Sequence, residues 1–177
     1  MLSTKQAKIK LVLLDVDGVL TDGSIPYDDQ GMQTQVYHVR DGLGIRLLQA
    51  AGIEVGLITG RATRALHHRC RDLGIALIMD GISDKVAALD TVLAKKNLGS
   101  EAVAFVGDDL PDLPLAGRVG LFIAVGDAHE TLCRKADWVT KARGGRGAVR
   151  EVAEALLKTQ GHWSRLLEET YQLHEAD

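Results

Sequence analysis

Short runs of branched apolar residues alternate along the chain with longer stretches in which apolar residues recur at helical spacing. The short runs predict strands, and they cover residues 9–14, 53–59, 75–79, 102–106 and 121–125. The longer stretches predict helices over residues 42–51, 62–73, 84–97 and 146–158. Strands and helices that alternate in this way predict an α/β fold, in which a parallel sheet is covered by helices on both faces.

One segment, residues 24–39, breaks this alternation. It has β-type residues on both sides of the turn sequence Asp28-Asp29-Gln30-Gly31, so it predicts a β-hairpin inserted after the first strand. An isolated hairpin is marginally stable in water, so we expect it to pack on its own domain or on another subunit. After the hairpin, Asp41 is positioned to cap the helix from Gly42 to Ala51, with Leu43, Leu47 and Leu48 on its inner side.

The composition of the chain indicates its number of domains, its partners and its compartment. The chain has 177 residues with 46% hydrophobic and 25% charged content, which fits one globular domain over residues 1–177 with a peripheral tail at 162–177. The net charge is −3 with no basic stripe, so we expect no nucleic-acid partner. The two cysteines are widely spaced, and no apolar run has the length of a signal peptide core or a membrane span. These features predict a soluble cytoplasmic protein with no membrane partner.

The candidate chemistry lies where the predicted strands end. Asp15 and Asp17 follow the first strand, Thr59 ends the second, and Asp108 follows the fourth. Right-handed crossovers place these carboxyl ends at one edge of the sheet, where open α/β sheets bind their ligands. Lys85 begins the helix after the third strand. Each residue alone also fits a structural role, as a cap, a polar turn or a solvated lysine, but their convergence on one edge favours a site.

Carboxylates crowded together repel one another, and a hard divalent cation relieves this repulsion. Oxygen ligands with open positions suit Mg²⁺, and no His or Cys set has the spacing of a zinc site. We therefore expect Mg²⁺ to bind the carboxylates of Asp15 and Asp108 and the backbone carbonyl of Asp17.

A metal, a nucleophilic carboxylate, a hydroxyl and a lysine together predict phosphoryl transfer. In the mechanism we expect, Asp15 attacks phosphorus and forms an aspartyl-phosphate. Asp17 protonates the leaving alcohol and then accepts a proton from the attacking water. The catalytic set is completed by Thr59 and Lys85, which hold the phosphoryl oxygens.

The same residues carry a resemblance to a known family. Asp-Val-Asp-Gly-Val at 15–19, Ile-Thr-Gly-Arg at 58–61, Lys85, and Gly-Asp-Asp-Leu-Pro-Asp at 107–112 resemble the four motifs of the haloacid dehalogenase-like (HAD) phosphatases. Further stretches at 39–42, 81–85 and 142–152 resemble the branch of that family that acts on 3-deoxy-D-manno-octulosonate (KDO) 8-phosphate. The resemblance implies a Rossmann-like three-layer α/β/α domain, Mg²⁺ dependence, a homotetramer and a place in lipopolysaccharide sugar synthesis.

It also implies a set of substrate contacts. These fall on Asp17, His38, Val39, Arg40, Asp41, Gly42, Arg46, Gly60, Arg61, Arg69 and Lys85. Guanidinium groups suit a sugar-acid phosphate because they bind carboxylate and phosphate bidentately. The alternative for Arg46 and Arg69 is a solvated helix face.

Many members of the family insert a cap domain over the site, but the spacing here leaves room for none. We therefore expect an open site, with the segment 24–39 making the subunit contacts. The loop Arg143–Gly147 is either a flexible basic segment that reaches an anionic ligand or a plain glycine-rich entry to the last helix.

Three other functions stay open. The first is hydrolysis of a related 2-keto-3-deoxy sugar acid phosphate, such as a nonulosonate 9-phosphate, because one sugar carbon alters few contacts. The second is a non-catalytic oligomerisation module, which the intact motif residues disfavour. The third is a phosphotransferase, which normally needs a cap to exclude water.

Overall fold

The first apolar run forms the central strand of a six-stranded parallel sheet. The computed structural model describes residues 2–172. The strands are β1 (Leu11–Leu14), β2 (Glu54–Ile58), β3 (Leu77–Met79), β4 (Val103–Gly107), β5 (Leu121–Ala124) and β6 (Trp138–Val139). They run in the order β3-β2-β1-β4-β5-β6, and every neighbouring pair is parallel. The predicted parallel sheet is therefore confirmed, with the short piece at 138–139 as its sixth strand.

Helices connect the strands and cover both faces. They are α1 (Leu2–Gln6), α2 (Val39–Ala50), α3 (Arg64–Leu73), α4 (Lys85–Lys96), α5 (Glu130–Lys135), α6 (Ala148–Thr159) and α7 (Trp163–Tyr171), with 3₁₀ turns at Ser100–Ala102 and Leu110–Leu115. None of the helices within residues 2–172 has the length and apolar character needed to cross a membrane.

Alternate residues of β1 face opposite layers of the core. Val12 and Leu14 pack in a cluster with the inner faces of α2, α3 and α6. Leu11 and Leu13 pack in a second cluster with α4 and α5. Since both faces of the strand are buried, its sequence is a continuous apolar run rather than an alternating one. The three-layer α/β/α arrangement is confirmed.

Helix α2 begins earlier than its sequence predicts, and two of its residues differ from their predicted roles. Its N-cap is His38, so Asp41 lies inside the first turn and does not cap its own helix. Leu43 is 37% exposed, and the buried contacts come from Ile45, Leu47 and Leu48. The prediction of Leu43 as an inner residue is therefore wrong, because its side chain lines a surface cleft together with Arg46 and Arg69.

The segment 24–39 forms two antiparallel arms rather than a regular two-stranded ladder. One bridge joins Tyr27 to Gln33, and the turn is closed by the amide of Met32, which donates to the carboxylate of Asp28 at 2.7 Å. Along the second arm, Gln33, Gln35 and Tyr37 are partly buried, whereas the side chains between them are exposed. Within residues 2–172, this loop is part of the single segment that joins β1 to α2, and no cap domain is inserted there.

The tail is only partly within the described residues. Helix α7 confirms the predicted helix, and Leu166 is buried against the same cluster as α6. The predicted tail runs to residue 177, and its last five residues lie outside the described range.

Candidate active site

Three strands deliver acidic and hydroxyl side chains to one edge of the sheet. Asp15 directly follows β1, and its amide still donates to the carbonyl of Val106 on β4 at 3.0 Å. Thr59 directly follows β2, and Asp108 directly follows β4. The edge predicted from the strand ends is therefore assembled in the structure.

The chain leaves the strand after Asp15 through a turn that needs glycine. Gly18 has a φ of 88°, and a Cβ there would lie 2.0 Å from a carboxylate oxygen of Asp108. Glycine therefore serves two purposes at this position. It allows the left-handed backbone, and it lets the β1 loop approach the acid that follows β4.

A buried lysine lies among three carboxylates. The Nζ of Lys85 is 3.1 Å from Oδ1 of Asp15 and 2.6 Å from Oδ1 of Asp112. One carboxylate oxygen from each of Asp15, Asp108 and Asp112 lies within 4.8 Å of the others. The sequence motif contains Asp112, but its pattern alone assigns this residue no role. The structure brings Asp112 to the site through the turn Leu110–Leu115, which folds back and buries this residue beside the other acids.

This crowding changes the protonation of the acids. Burial, together with the charge of Asp112, raises the pKa of Asp15 to about 6, against the opposing effect of Lys85. Burial and the charges of Asp15 and Asp112 raise the pKa of Asp108 to about 8. Burial works against the charge of Lys85, but Asp15 and Asp112 outweigh it and raise the pKa of the lysine. One lysine does not balance three acids, so the site favours an added cation.

The side chain of Asp17 is held from two sides. Its Oδ1 accepts a hydrogen bond from Nε2 of Gln35 at 3.1 Å. Its Oδ2 lies 3.6 Å from Nε of Arg61. Arg61 in turn donates to Oε1 of Gln33 at 2.7 Å. The second arm of the 24–39 loop therefore packs against the site through its polar side chains.

A cleft of about 360 Å³ opens over these groups. Its walls include all four predicted catalytic residues, and they are formed by Asp15, Asp17, Thr59, Gly60, Arg61, Ile82, Ser83, Lys85, Pro111 and Pro114. Thr59 is buried at the floor, and its hydroxyl oxygen accepts from the amide of Arg61 at 3.4 Å. The predicted catalytic set Asp15, Asp17, Thr59 and Lys85 thus shares one cleft.

The other predicted substrate residues lie elsewhere in the same chain. Val39, Gly42, Arg46 and Arg69 line a separate cleft of about 300 Å³. Arg69 donates to the carbonyl of His38 at 3.4 Å, and Arg46 donates to the carbonyl of Asp72 at 2.8 Å. Arg40 is exposed beside the start of α6. Within one chain, these residues and the acidic cleft do not form one pocket.

Asp41 is buried and bonded to the start of another helix. It is 1% exposed, and its two oxygens accept from the amides of Gly147 at 3.1 Å and Arg150 at 2.9 Å. These amides lie at the start of α6. The N-cap residue of that helix is Gly147, which has no side chain that could accept a hydrogen bond from them. The carboxylate of Asp41 therefore caps a helix that is distant in sequence, and its expected contact with substrate stays a prediction.

The loop 143–147 is docked against the β1 loop. A Cβ on Gly144 would lie 1.6 Å from the carbonyl oxygen of Gly18, and one on Gly145 would lie 2.4 Å from the carbonyl carbon of Thr21. The amide of Gly145 donates to the carbonyl of Val19 at 2.8 Å. Backbone contacts this close leave no room for side chains, so the glycines fix the loop in place rather than make it flexible.

The donor set fits the expected Mg²⁺. All three side chains of the cluster offer carboxylate oxygens, the ligands that Mg²⁺ prefers, and no histidine or cysteine belongs to any such cluster within residues 2–172. Asp15 and Asp108 stay our predicted side-chain ligands and Asp17 the predicted backbone ligand, with Asp112 as an additional acid close to them. Bound there, the cation would neutralise phosphate charge and the excess charge of the acids.

Comparisons with known proteins agree with this geometry. The KDO 8-phosphate phosphatase of Salmonella typhi is 48% identical over 158 residues, which cover 89% of this chain and 84% of the relative. The chain belongs to the haloacid dehalogenase-like hydrolase family. The profile of that family matches residues 73–152. Within the family the chain groups with the KDO 8-phosphate phosphatases, and it is an enzyme of the phosphoric monoester hydrolase class.

Solved structures of this HAD branch superpose closely. The KDO 8-phosphate phosphatase of Yersinia pestis has a TM-score of 0.89 at 45% identity, over 91% of this chain and 87% of that chain. That of Moraxella catarrhalis, described in complex with a magnesium ion, a phosphate ion and a KDO molecule, has a TM-score of 0.93 at 38% identity, over 95% and 97% of the two chains. The Rossmann-like HAD fold is therefore confirmed.

Proposed function

We propose that this enzyme hydrolyses KDO 8-phosphate to KDO and inorganic phosphate, with Mg²⁺ as its cofactor and lipopolysaccharide synthesis as its pathway. The observation that carries the proposal is the pairing of Asp15 with buried Lys85 at 3.1 Å, beside Asp108. Relatives with 48% identity that carry the name KDO 8-phosphate phosphatase support the substrate. A relative described in complex with magnesium, phosphate and KDO supports the metal and the product.

In the first half of the reaction, a carboxylate oxygen of Asp15 attacks phosphorus in line with the ester oxygen. The bond between phosphorus and the ester oxygen breaks, and Asp17 gives its proton to the departing sugar oxygen. Lys85 holds the nucleophile and offers positive charge to the phosphoryl oxygens, while the Thr59 hydroxyl donates to another of them. The products of this half are the aspartyl-phosphate and the free sugar acid.

In the second half, water attacks the phosphorus of the aspartyl-phosphate. Asp17, now ionised, accepts the proton of that water, and the bond between Asp15 and phosphorus breaks. Inorganic phosphate leaves, Asp15 is again a carboxylate, and Asp17 is again protonated. The same residue therefore acts as acid in the first half of the reaction and as base in the second.

The sugar end of the substrate extends beyond this cleft, and the exposed apolar residues of the 24–39 loop suggest what covers it. Tyr27, Met32, Val36 and Val39 are 61–80% exposed. We propose that this surface makes the contacts of a homotetramer. The cleft of Arg46 and Arg69 would then bind the substrate held by a neighbouring subunit. As part of the same proposal, the enzyme is a single-domain cytoplasmic protein.

A phosphate-release assay tests the proposed substrate directly. The purified enzyme is given KDO 8-phosphate or a nonulosonate 9-phosphate, each with Mg²⁺ and with EDTA. We expect the higher kcat/KM for KDO 8-phosphate, and we expect EDTA to remove activity. A higher kcat/KM for the nonulosonate would transfer the proposal to that sugar acid, and no turnover of either would end it.

A further inference from the structure

The amide of Gln35 connects the 24–39 loop to the proposed acid–base residue. Its Nε2 donates to Oδ1 of Asp17 at 3.1 Å. Its Oε1 accepts from the phenol of Tyr37 at 2.8 Å and from the hydroxyl of Thr63 at 2.6 Å. Gln35, Tyr37 and Thr63 all lie outside the four motifs that the family resemblance rests on.

The surrounding donors fix which way this amide points. The hydroxyl oxygen of Thr63 already accepts from the amide of Leu66 at 3.1 Å, where it caps α3. Its single proton is therefore available for Gln35. Burial raises the pKa of Tyr37, so its phenol also keeps its proton. Since two O–H donors converge on one atom of the amide, that atom is the carbonyl oxygen, and the NH₂ group faces Asp17.

The amide of Gln35 contacts one of the two carboxylate oxygens of Asp17 and thereby restricts the rotation of this side chain. Gln35 donates into Oδ1, whereas the contact of Oδ2 among the described residues is the guanidinium of Arg61 at 3.6 Å, which is longer than a hydrogen bond. Gln35 thus fixes one oxygen of Asp17 and leaves the other available to the leaving sugar oxygen. Proton transfer needs the acid within hydrogen-bond reach of the leaving oxygen, so a carboxylate that rotates freely would lose part of its effect.

We propose that Gln35, with its amide oriented by Tyr37 and Thr63, is a positioning residue that holds Asp17 for protonation of the leaving sugar oxygen. The proposal rests on the proposed function, because it assigns Asp17 the acid–base role. A positioning role predicts an effect that depends on the leaving group of the substrate. A sugar alkoxide needs a proton as it departs, whereas p-nitrophenolate is stable without one.

The test compares kcat/KM for KDO 8-phosphate and for p-nitrophenyl phosphate, because kcat/KM covers the steps up to departure of the first product. Gln35→Met keeps the length of the side chain and removes the amide. We expect it to lower kcat/KM for KDO 8-phosphate by about tenfold and that for p-nitrophenyl phosphate by less than about threefold. Tyr37→Phe keeps the ring, which also faces the guanidinium of Arg69 at 5.6 Å. It should give a smaller loss with the same selectivity.

Gln49→Met is the matched control, since the Gln49 side chain lies at the far end of α2 with only a 3.4 Å contact to the carbonyl of Gly74. It should leave both rates unchanged. An equal loss on both substrates in Gln35→Met and Tyr37→Phe, or no loss in either, overturns the positioning role. If the unmodified enzyme leaves KDO 8-phosphate untouched, the proposed function fails instead. The same comparison is then made with whichever sugar phosphate it hydrolyses.

Discussion

The Nζ of Lys85 lies 3.1 Å from Oδ1 of Asp15, and the lysine is only 6% exposed. The first residue of α4 is thereby tied to the first residue after β1. Lys85 is shared with Asp112, so it offsets only part of the acidic charge of the cluster. The site is consequently arranged to gain from any partner that brings positive charge, and this property underlies the first two predictions.

Asp15→Asn should remove turnover without harming the fold. The amide cannot form the acyl-phosphate, so we expect phosphate release to fall by about 10³-fold or more. Because the ionised Asp15 lies among other acids, its neutralisation should leave the thermal midpoint unchanged or slightly raised. Asp90→Asn, on the exposed face of α4, is the control and should keep full activity. Retention of most activity in Asp15→Asn would rule out the nucleophile assignment.

The metal-free protein should lose stability as pH rises, and Mg²⁺ should restore it. Burial and the neighbouring acids raise the pKa of Asp108 to about 8 and that of Asp15 to about 6, from the ordinary value of 3.8. The folded state therefore holds protons that the unfolded state has released, so stability falls as pH rises from about 4 towards 8. We expect the Mg²⁺-induced rise in Tm to be larger at pH 8.5 than at pH 6, by a few degrees.

Asp108→Asn provides the control for that measurement. With the most perturbed acid neutralised, the metal-free Tm should depend less on pH, and the effect of Mg²⁺ should shrink at both pH values. Scanning calorimetry in EDTA and in Mg²⁺ measures all four conditions. An Mg²⁺ effect that is largest at low pH would contradict the assignment of the cation to these acids.

Asp41→Ala should destabilise the protein. The change leaves two buried amides at the start of α6 without an acceptor, so we expect a loss of about 2 kcal/mol in the free energy of unfolding. Urea denaturation measures it. The control is Asp72→Ala, an exposed acid on α3. If Asp41→Ala instead raised KM and left stability unchanged, the carboxylate would act as a substrate contact rather than as a cap.

The double substitution Met32→Glu and Val36→Glu should weaken subunit association. Both side chains are more than 60% exposed in the single chain, and charges there oppose burial in an interface. Sedimentation velocity should show a smaller assembly than for the unmodified protein. Leu2→Glu, at a 37% exposed apolar residue on α1, is the control. An unchanged sedimentation coefficient in the double variant would exclude this loop as the main contact.

The sequence predicts the strand-end residues of the cleft well, for a topological reason. Once the strands are parallel, Asp15, Thr59 and Asp108 have to meet at one edge, whatever the details of the loops. The same reasoning does not reach Asp112, because its position depends on a 3₁₀ turn that reverses the chain. It also does not reach Gln35, because the 24–39 loop takes its shape from contacts with the site rather than from a ladder of its own.

Asp41 shows a second limit of sequence reasoning. The sequence pattern predicts that an acid at a helix start caps that helix. The carboxylate of Asp41 instead accepts from amides more than 100 residues away in sequence. Local spacing carries no information about such a partner. The arginines of α2 and α3 show the same limit, because their distance from the acidic cleft depends on packing and on whatever surface a second chain adds.

The docking of Gly144 and Gly145 against residues 18–22 also has a consequence for biosynthesis. The loop that carries Asp17 is made more than 120 residues before the glycines that support it. A nascent chain can pair β1 with β2 early, yet the backbone beside Asp17 stays unsupported until residue 145 has left the ribosome. Catalytic competence therefore waits for synthesis of this loop, and fragments that end before it should be inactive even where their strands have paired.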